Sequence, residues 1–535
     1  MKEEILARIS ECGVPRDKIG LEFQENESLG HYSTSAAFLV ARQKNISSKA
    51  AAEELAALIE KNNDGFFSRI EVAGAGFINF WISPAVFQKE TLTILNKGEA
   101  YGKNDAGKGR KARVEYVSAN PTGPIHIGNA RGGPYGESLA RTFLMSGYEV
   151  TREYYNNDIG GQIEKLGATL FYWYKKELGG DPIFPENGYQ GEFPREIAVS
   201  AVAALGRDLK ESDVDNLINF GLEEIYKENF DVLERLGIKY DIIREESELI
   251  SSGATERAIE ELRSRGFLKE YEGALWFAPK DEFLEDREAV VVKSDGTPTY
   301  FASDIAYHRE KFKSGSNKII DIFGSNHFGH IPKLRALTNI FGFSPDDFYV
   351  LLYQSVRVKR GGEVLKMSKR AGTYITAREV IDEVGPDAMI FSFLSSASTT
   401  HIDFDLEEVK KRSMKNPVYY VQYAYVRARN VIRKLGEYDS VSDLSVLASD
   451  TDILLMRKMA EFPDIIAETL KDFCVHRYTR YAYELARVFH NFYEKERVLN
   501  EDEPAKSARA ALVEAFAGVM QNTLSVMGIS SPEEM

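Results

Sequence analysis

His126, Gly128 and Asn129 fall within HIGN, residues 126–129, one residue after the turn PTGP at 121–124. An imidazole and a carboxamide three residues apart can each donate a hydrogen bond to an oxyanion. A glycine between them lets a ligand come close to the backbone. A second group with related chemistry lies far along the chain. In KMSKRAGTYIT, 366–376, Lys366 and Lys369 stand three apart, with glycines nearby on both sides. Two ammonium groups on such a loop suit a reaction at phosphorus, where charge grows on the transferred group and on the leaving pyrophosphate. Each stretch alone has a plainer explanation. A lone histidine after a turn is commonly a satisfied core residue, and a run of cations is commonly a solvated face.

The elements around these residues decide what they can reach. RVEYVSAN, 113–120, reads as a strand with Val114, Tyr116 and Ser118 on one face. A strand–turn–helix over 113–131 would present the unpaired N–H groups of a helix start to an anion. Pro134, behind Gly132 and Gly133, should break or kink that helix near the turn. GYEVTREYY (147–155), NKIIDIFGSN (317–326) and DDFYVLLYQSVRV (346–358) read as further strands alternating with helices. That rhythm implies a Rossmann-like, doubly wound parallel sheet. Residues of about 165–285 are more helical and charged and read as an insertion. Residues 1–106 read as an α+β domain, with a strand pair in FSRIEVAGAGFINFWIS broken by Gly74 and Gly76, and 97–111 as a linker. From 401 to 535 the pattern is a helical bundle. Val418, Val421, Tyr425, Ala428 and Ile432 recur at helical steps beside a face carrying Tyr420, Tyr423 and Arg427. The expected domains are therefore 1–106, 107–400 and 401–535.

Composition sets outer limits. With 43% hydrophobic and 28% charged residues the chain can bury a large core, and its formal charge of −15 argues against a general nucleic-acid coat protein. Residues 356–370 nonetheless carry Arg357, Lys359, Arg360, Lys366, Lys369 and Arg370 against Glu363 alone, and KKRSMK at 410–415 is a second basic cluster. Two cysteines, Cys12 and Cys474, exclude a disulfide framework or a cysteine-built zinc site and fit a reducing compartment. No long apolar run and no apolar signal core at the start are seen, so a cytoplasmic protein with no membrane partner is expected.

HIGN and KMSKR together resemble the two signatures of class I aminoacyl-tRNA synthetases. SANPTGPIHIGNAR, REYYNNDIGGQI, VVVKSDGTPTYFASDIAYH, HIDFDLEEVKKRSMKNPVYYVQYAYVR and the terminal ISSPEEM, with HYSTSAAFLVA and GAGFINFWIS before them, resemble one family of that class, the arginyl-tRNA synthetases. The resemblance implies that ATP activates L-arginine to arginyl-adenylate, and that the arginyl group then passes to the 3′ end of tRNA(Arg). It implies catalytic roles for His126, Asn129, Lys366 and Lys369. It puts ATP on Ala119, Pro121, Thr122, Gly123, Pro124, His126, Gly128, Asn129, Lys366, Met367, Ser368 and Lys369, with Mg2+ accompanying ATP and no tightly bound metal. In one respect the chain departs from the family. Asn129 stands where the signature usually has a second histidine, which keeps a donor but can never carry charge.

A guanidinium calls for a carboxylate that meets its planar fork. Glu115 lies on the strand before the turn, and Tyr300 and Asp304 share a face if 300–307 is helical. The resemblance assigns Glu115, Asn120, Tyr300 and Asp304 to arginine. Gln162 and His327 join them from a wider group with Asn156, Asp158, Asn326 and His330, all placed after strands. His308, His401, His476 and His490 are expected to be structural. Tyr420, Tyr423 and Arg427 would meet tRNA, where bases stack on aromatic rings and cations meet the backbone. The N-terminal domain would touch the tRNA's outer corner. The family also implies a monomer that binds no DNA and needs tRNA for its first step. The rival readings are a small-molecule nucleotidyltransferase, which would not need the flanking domains, a catalytically silent tRNA-binding relative, and a sibling synthetase for another amino acid.

Overall fold

The computed structural model describes residues 1–24, 27–284, 288–365, 374–436, 443–499 and 501–535. Strands β1 (Leu21–Phe23), β2 (Tyr32–Thr34), β3 (Phe67–Ala73) and β4 (Phe77–Ile82) form an antiparallel sheet in the order β1-β2-β4-β3. Gly74 and Gly76, both at positive φ, turn β3 into β4. Helices α1 (Lys2–Glu11), α2 (Ala36–Lys44) and α3 (Ser48–Lys61) accompany this sheet, and α4 (Pro84–Lys97) leaves it. Residues 97–111, expected as a linker, are pinned. The Asn522 amide donates to the carbonyls of Gly98 (3.0 Å) and Tyr101 (3.3 Å), and the buried Tyr101 ring stacks on Phe462.

The central sheet is parallel throughout. It contains β5 (Lys111–Tyr116), β6 (Glu149–Asn156) and β7 (Ile242–Glu245). After a small antiparallel sheet of β8 (Leu268–Tyr271), β9 (Ala274–Phe277) and β10 (Ala289–Val292), the chain returns with β11 (Lys318–Gly324) and β12 (Phe348–Tyr353). The order is β12-β11-β5-β6-β7. The chain winds outward from β5 on one side and then fills the other, so the crevice for ligands lies beyond the carboxyl ends of β5 and β11. After β5 come α5 (Ile127–Ala130) and α6 (Gly132–Met145). Helix α6 presses against β5 because Gly136 has no side chain; a Cβ there would lie 2.2 Å from the Tyr116 ring.

Between β6 and β7 run α7 (Gly161–Glu177), α8 (Phe193–Leu205) and α9 (Val214–Arg235). Helices α10 (Glu246–Ser251) and α11 (Ala254–Ser264) follow β7, then α12 (Tyr300–Phe312) and α13 (Ile331–Phe341). The expected insertion at about 165–285 is thus not one excursion, because β7 inside it is the edge strand of the central sheet. The expected strand at 346–358 is also two. β12 stops at Tyr353, where the Gln354 N–H turns away to the Ser398 carbonyl (2.9 Å). β13 (Val356–Arg360) joins β14 (Glu363–Val364) and β15 (Ile402–Asp405) in a separate sheet. In that sheet Arg357 and Lys359 pair with Asp403, and Arg360 with Glu383 and Glu407, so acids from distant segments neutralise much of the basic run.

Helices α14 (Ala377–Val384), α15 (Pro386–Leu394) and α16 (Leu406–Val409) lead to the helical domain of α17 (Pro417–Leu435), α18 (Asp450–Ala460), α19 (Phe462–Asp472), α20 (His476–Lys495) and α21 (Ala505–Met527). α4 packs against α18 and α21. Among the described residues, α21 alone has the length and apolarity to cross a membrane, and most of it is buried inside the protein. Cys12 and Cys474 are both free.

Candidate active site

The turn before α5 starts with an abrupt backbone change. β5 ends at Tyr116 rather than running to Asn120, because Val117 (φ 69°) and Ser118 (φ 39°) are left-handed. A β-branched residue there is strained. Ser118 therefore does not continue the face of Val114 and Tyr116. Its hydroxyl donates to Glu115 Oε1 (2.8 Å) and accepts from the Tyr155 N–H (3.0 Å), which holds the strained pair in place. The Tyr154 hydroxyl fixes the Ala119 carbonyl at 2.7 Å.

His126 begins α5. Its Nδ1 accepts from the Asn129 N–H at 3.1 Å, so the neutral ring carries its hydrogen on Nε2. Gly128 leaves room for this ring, because a Cβ at 128 would sit 3.0 Å from the ring's Cε1. α5 is four residues long, and the chain passes through Arg131, itself in helical backbone, directly into α6. Pro134 lies in the first turn of α6, where no N–H is needed. The buried Arg131 guanidinium donates to the carbonyls of Gln354 (2.6 Å), Thr400 (2.8 Å) and Ala397 (3.0 Å), locking this corner to the end of β12.

Lys366, Met367, Ser368 and Lys369 lie outside the described residues, but the segment that follows them is joined to the turn. The Ile127 N–H donates to the Ile375 carbonyl (3.2 Å) and the Ala377 N–H to the Ile125 carbonyl (2.8 Å), and residue 126 bridges 376. Thr376 and Glu379 then cap α14 reciprocally. The turn of the first signature and the segment 375–377, about 250 residues further along the chain, are therefore joined by backbone hydrogen bonds.

The acids come from three strands and two helices. Glu115 is on the middle strand and is 2% exposed, so it is neither an edge residue nor an open carboxylate. Its Oε2 accepts from Lys311 Nζ (2.6 Å) and the Tyr307 hydroxyl (2.9 Å). Lys311 also holds Asp321 at 2.5 Å and lies 3.8 Å from Glu153, which Arg113 grips with two hydrogen bonds of 2.6 and 2.7 Å. His308 lies between the Asp304 carbonyl (2.8 Å) and Asp321 Oδ2 (3.1 Å). Burial opposes its charge, but the Asp321 carboxylate prevails and moves the imidazole above its usual range.

Asp304 differs from Glu115. It is on α12 one turn after Tyr300, as the spacing predicts, and its nearest side-chain partner is His330 Nδ1 at 4.0 Å. Burial pushes its carboxyl up to about 6, with the Glu115 charge adding to the shift and His308 opposing it. Glu246, which the sequence reading missed, sits beside it. Burial pushes Glu246 up to about 7, with the Asp304 and Asp158 charges adding and a Ser303 hydrogen bond opposing. The buried Tyr155 hydroxyl faces the same acids and has no hydrogen-bond partner. Glu246 directly follows β7, so recognising that strand would have pointed to it.

The remaining expected residues are less enclosed. The Asn120 amide donates to Gln162 Oε1 (3.1 Å), and both are exposed. The Tyr300 hydroxyl meets His330 Nε2 at 3.4 Å, and the exposed His327 ring stands 5.8 Å from that of His330. Asp158 is turned away to the Ser247 N–H (2.9 Å), and the Asn156 amide donates to the Tyr226 hydroxyl. Among the described residues no cluster of His, Cys, Asp or Glu could hold a metal.

On α17, Tyr425 is core, whereas Tyr420, Tyr423 and Arg427 are half-buried. The Arg427 guanidinium lies 4.7 Å over Tyr423 and 4.8 Å over Tyr493, and Tyr419 stacks on Tyr423 at 7°. His490, expected to be structural, packs 4.7 Å from the Tyr420 ring within this cluster.

Three family models match the chain: an arginyl-tRNA synthetase N-terminal domain (residues 1–82), a class I (R) tRNA synthetase catalytic domain (90–391) and a DALR anticodon-binding domain (421–535). The chain is 40% identical over 528 residues to an arginine–tRNA ligase of Citrifermentans bemidjiense, covering 97% of this chain and 95% of that one. It is 37% identical over 525 residues to the arginine–tRNA ligase of Desulforamulus reducens, covering 96% and 93%. Its fold is similar to that of the Thermus thermophilus arginyl-tRNA synthetase structure, with a TM-score of 0.78 at 21% identity, covering 100% of this chain and 99% of that one.

Proposed function

The chain belongs to the arginyl-tRNA synthetase family, and from that membership we propose how its residues divide the work. It is an arginine–tRNA ligase. Arginine's carboxylate attacks the α-phosphate of ATP, the bond to the β-phosphate bridging oxygen breaks, and pyrophosphate leaves. A ribose hydroxyl of the terminal adenosine of tRNA(Arg) then attacks the acyl carbon, loses its proton, and AMP leaves. ATP enters as its magnesium complex. No protein nucleophile takes part, so positioning and electrostatics carry both steps.

His126 donates from Nε2 to an ATP phosphate oxygen, and Asn129 donates beside it. Because neither carries charge in this arrangement, charge neutralisation falls to Lys366 and Lys369. Ala119, Pro121, Thr122, Gly123, Pro124 and Gly128 shape the turn, and Met367 and Ser368 the loop. The observation that supports this assignment is the backbone hydrogen bonding of 125–127 to 375–377, because it holds a segment only a few residues after the two lysines against the histidine turn.

Arginine's guanidinium lies between Asp304 and Glu246, with the Tyr155 hydroxyl beside it and Tyr300 at the mouth. Glu115, already paired with Lys311, forms the floor instead of gripping the guanidinium directly. Asn120, Gln162 and His327 line the amino-acid end. Tyr420, Tyr423 and Arg427 receive tRNA, and the protein acts as a monomer in the cytoplasm.

Total tRNA offered with ATP, magnesium and each labelled amino acid in turn should be charged with arginine alone. Attachment of another amino acid, or of none, would overturn the reading. Affinity for tRNA should fall roughly ten- to hundredfold between about 50 and 200 mM salt, because phosphate contacts release counterions. A filter-binding titration that stays flat would remove the basic contacts from the tRNA site.

A further inference from the structure

We propose that Asn229, on α9, is the positioning residue that sets the ATP-phosphate turn, acting on His126 through the backbone of Gly123 and Ile125. The proposal rests on the reading of that turn as the ATP site. Asn229 is 2% exposed in a helix whose other polar residues largely face water. Its Oδ1 accepts from the Ile125 N–H at 2.8 Å, and its Nδ2 donates to the Gly123 carbonyl at 3.3 Å. The turn has few bonds of its own. Pro121 and Pro124 have no N–H, and the Thr122 N–H to the Asn120 carbonyl (2.8 Å) is its internal contact. One carboxamide therefore supplies both the donor and the acceptor that the middle of the turn lacks.

The chemistry selects asparagine. The Ile125 N–H can only donate and the Gly123 carbonyl can only accept, so the site needs one acceptor and one donor side by side. Aspartate offers two acceptors of the same shape, and alanine offers neither. Ile125 is itself 2% exposed, so water does not easily replace the lost partner. α9 is also tied to the helix that follows the lysine loop. Arg378 on α14 pairs with Asp231 (2.7 Å) and Glu228, and Arg235 pairs with Asp382 (2.6 Å). The helix that holds the histidine turn is thus braced against the exit of the other signature.

The test is arginine-dependent ATP–pyrophosphate exchange by the full chain with tRNA present, comparing wild type with Asn229→Ala and Asn229→Asp. Wild-type exchange checks the ATP-site reading by itself, so its absence would sink that reading and this proposal with it, whereas the variants test the proposal alone. With wild type active, Asn229→Ala should lose about tenfold or more in kcat/KM for ATP, while the KM for arginine and the affinity for tRNA stay within about twofold. Asn229→Asp should be as defective at pH 8 and recover toward wild type near pH 6, where a protonated carboxyl can donate to Gly123. A uniform loss across ATP, arginine and tRNA, an unchanged ATP term, or failure of both variants to fold would overturn the proposal in favour of a purely structural role.

Discussion

Replacing Asp304 with asparagine raises the KM for arginine by roughly a hundredfold and leaves that for ATP within about twofold. Charge-assisted hydrogen bonds are worth about 1.5–3 kcal/mol each, and each 1.4 kcal/mol is a factor of ten. Asp304 is set up for such a bond because its carboxyl, pushed up to about 6 by burial, lacks a close cation. Glu246 beside it is pushed up to about 7. A bound guanidinium favours both ionised forms, so arginine binding near pH 6.5 should release protons, seen as a dependence of the calorimetric heat on the buffer's ionisation enthalpy. Arginine affinity should be full above about pH 7 and weaken as pH falls through 6, because the protonated acids no longer pair with the guanidinium. Stability of the free protein follows the opposite sign. A carboxyl raised in the folded state holds its proton while the unfolded chain has lost it, so this contribution declines as pH rises from about 4 toward 7. An unchanged arginine KM in Asp304→Asn would remove Asp304 from the pocket.

The second large effect is on folding. Lys311→Met should cost about 3–5 kcal/mol, the usual penalty for leaving buried charge without its partner. Lys311 is 1% exposed and holds both Glu115 and Asp321. Arg113 is the second cation of this cluster beside Glu115, Glu153 and Asp321, and the His308 ring lies on Asp321. Removing Lys311 leaves its buried carboxylate partners without their shared cation, beneath the proposed arginine pocket. Adding Asp321→Asn to Lys311→Met should recover part of the loss, because it removes the orphaned charge as well. Denaturant unfolding of the catalytic region reads both results, and a Lys311→Met variant as stable as wild type would mean that water reaches the cluster.

The alternation of strands and helices made the parallel sheet legible, and the four-residue spacing of Tyr300 and Asp304 placed both correctly on α12. What escaped notice depended on tertiary context. Lys311 in HREKFK reads locally as a solvated helix end, and only the convergence of β5, β6 and β11 buries it. β7 is a short edge strand inside a charged stretch, with Ile242 36% and Ile243 48% exposed, so its apolar signal was weak. Glu246 was lost with it. Glu115 was found, but its buried ion pair with Lys311 was not, because the two residues are about 200 positions apart. The left-handed pair at Val117 and Ser118 has no local signal at all, since valine disfavours that backbone and the Ser118 side-chain contacts to Glu115 and Tyr155 help sustain it.

α4 packs on helices that the ribosome makes last. Its buried face of Phe87, Thr91 and Ile94 is complete by residue 97, yet α21 starts only at Ala505. At roughly 5–20 residues per second, the intervening stretch of about 400 residues takes on the order of 20–80 s to synthesise. Until α18 emerges, from Asp450 on, the face of the helix that α18 and α21 cover stays open, although His31 of its own domain already packs on Phe87. The nascent chain's first domain must wait, exposed to chaperones and to neighbouring chains, until translation of its own message is nearly finished.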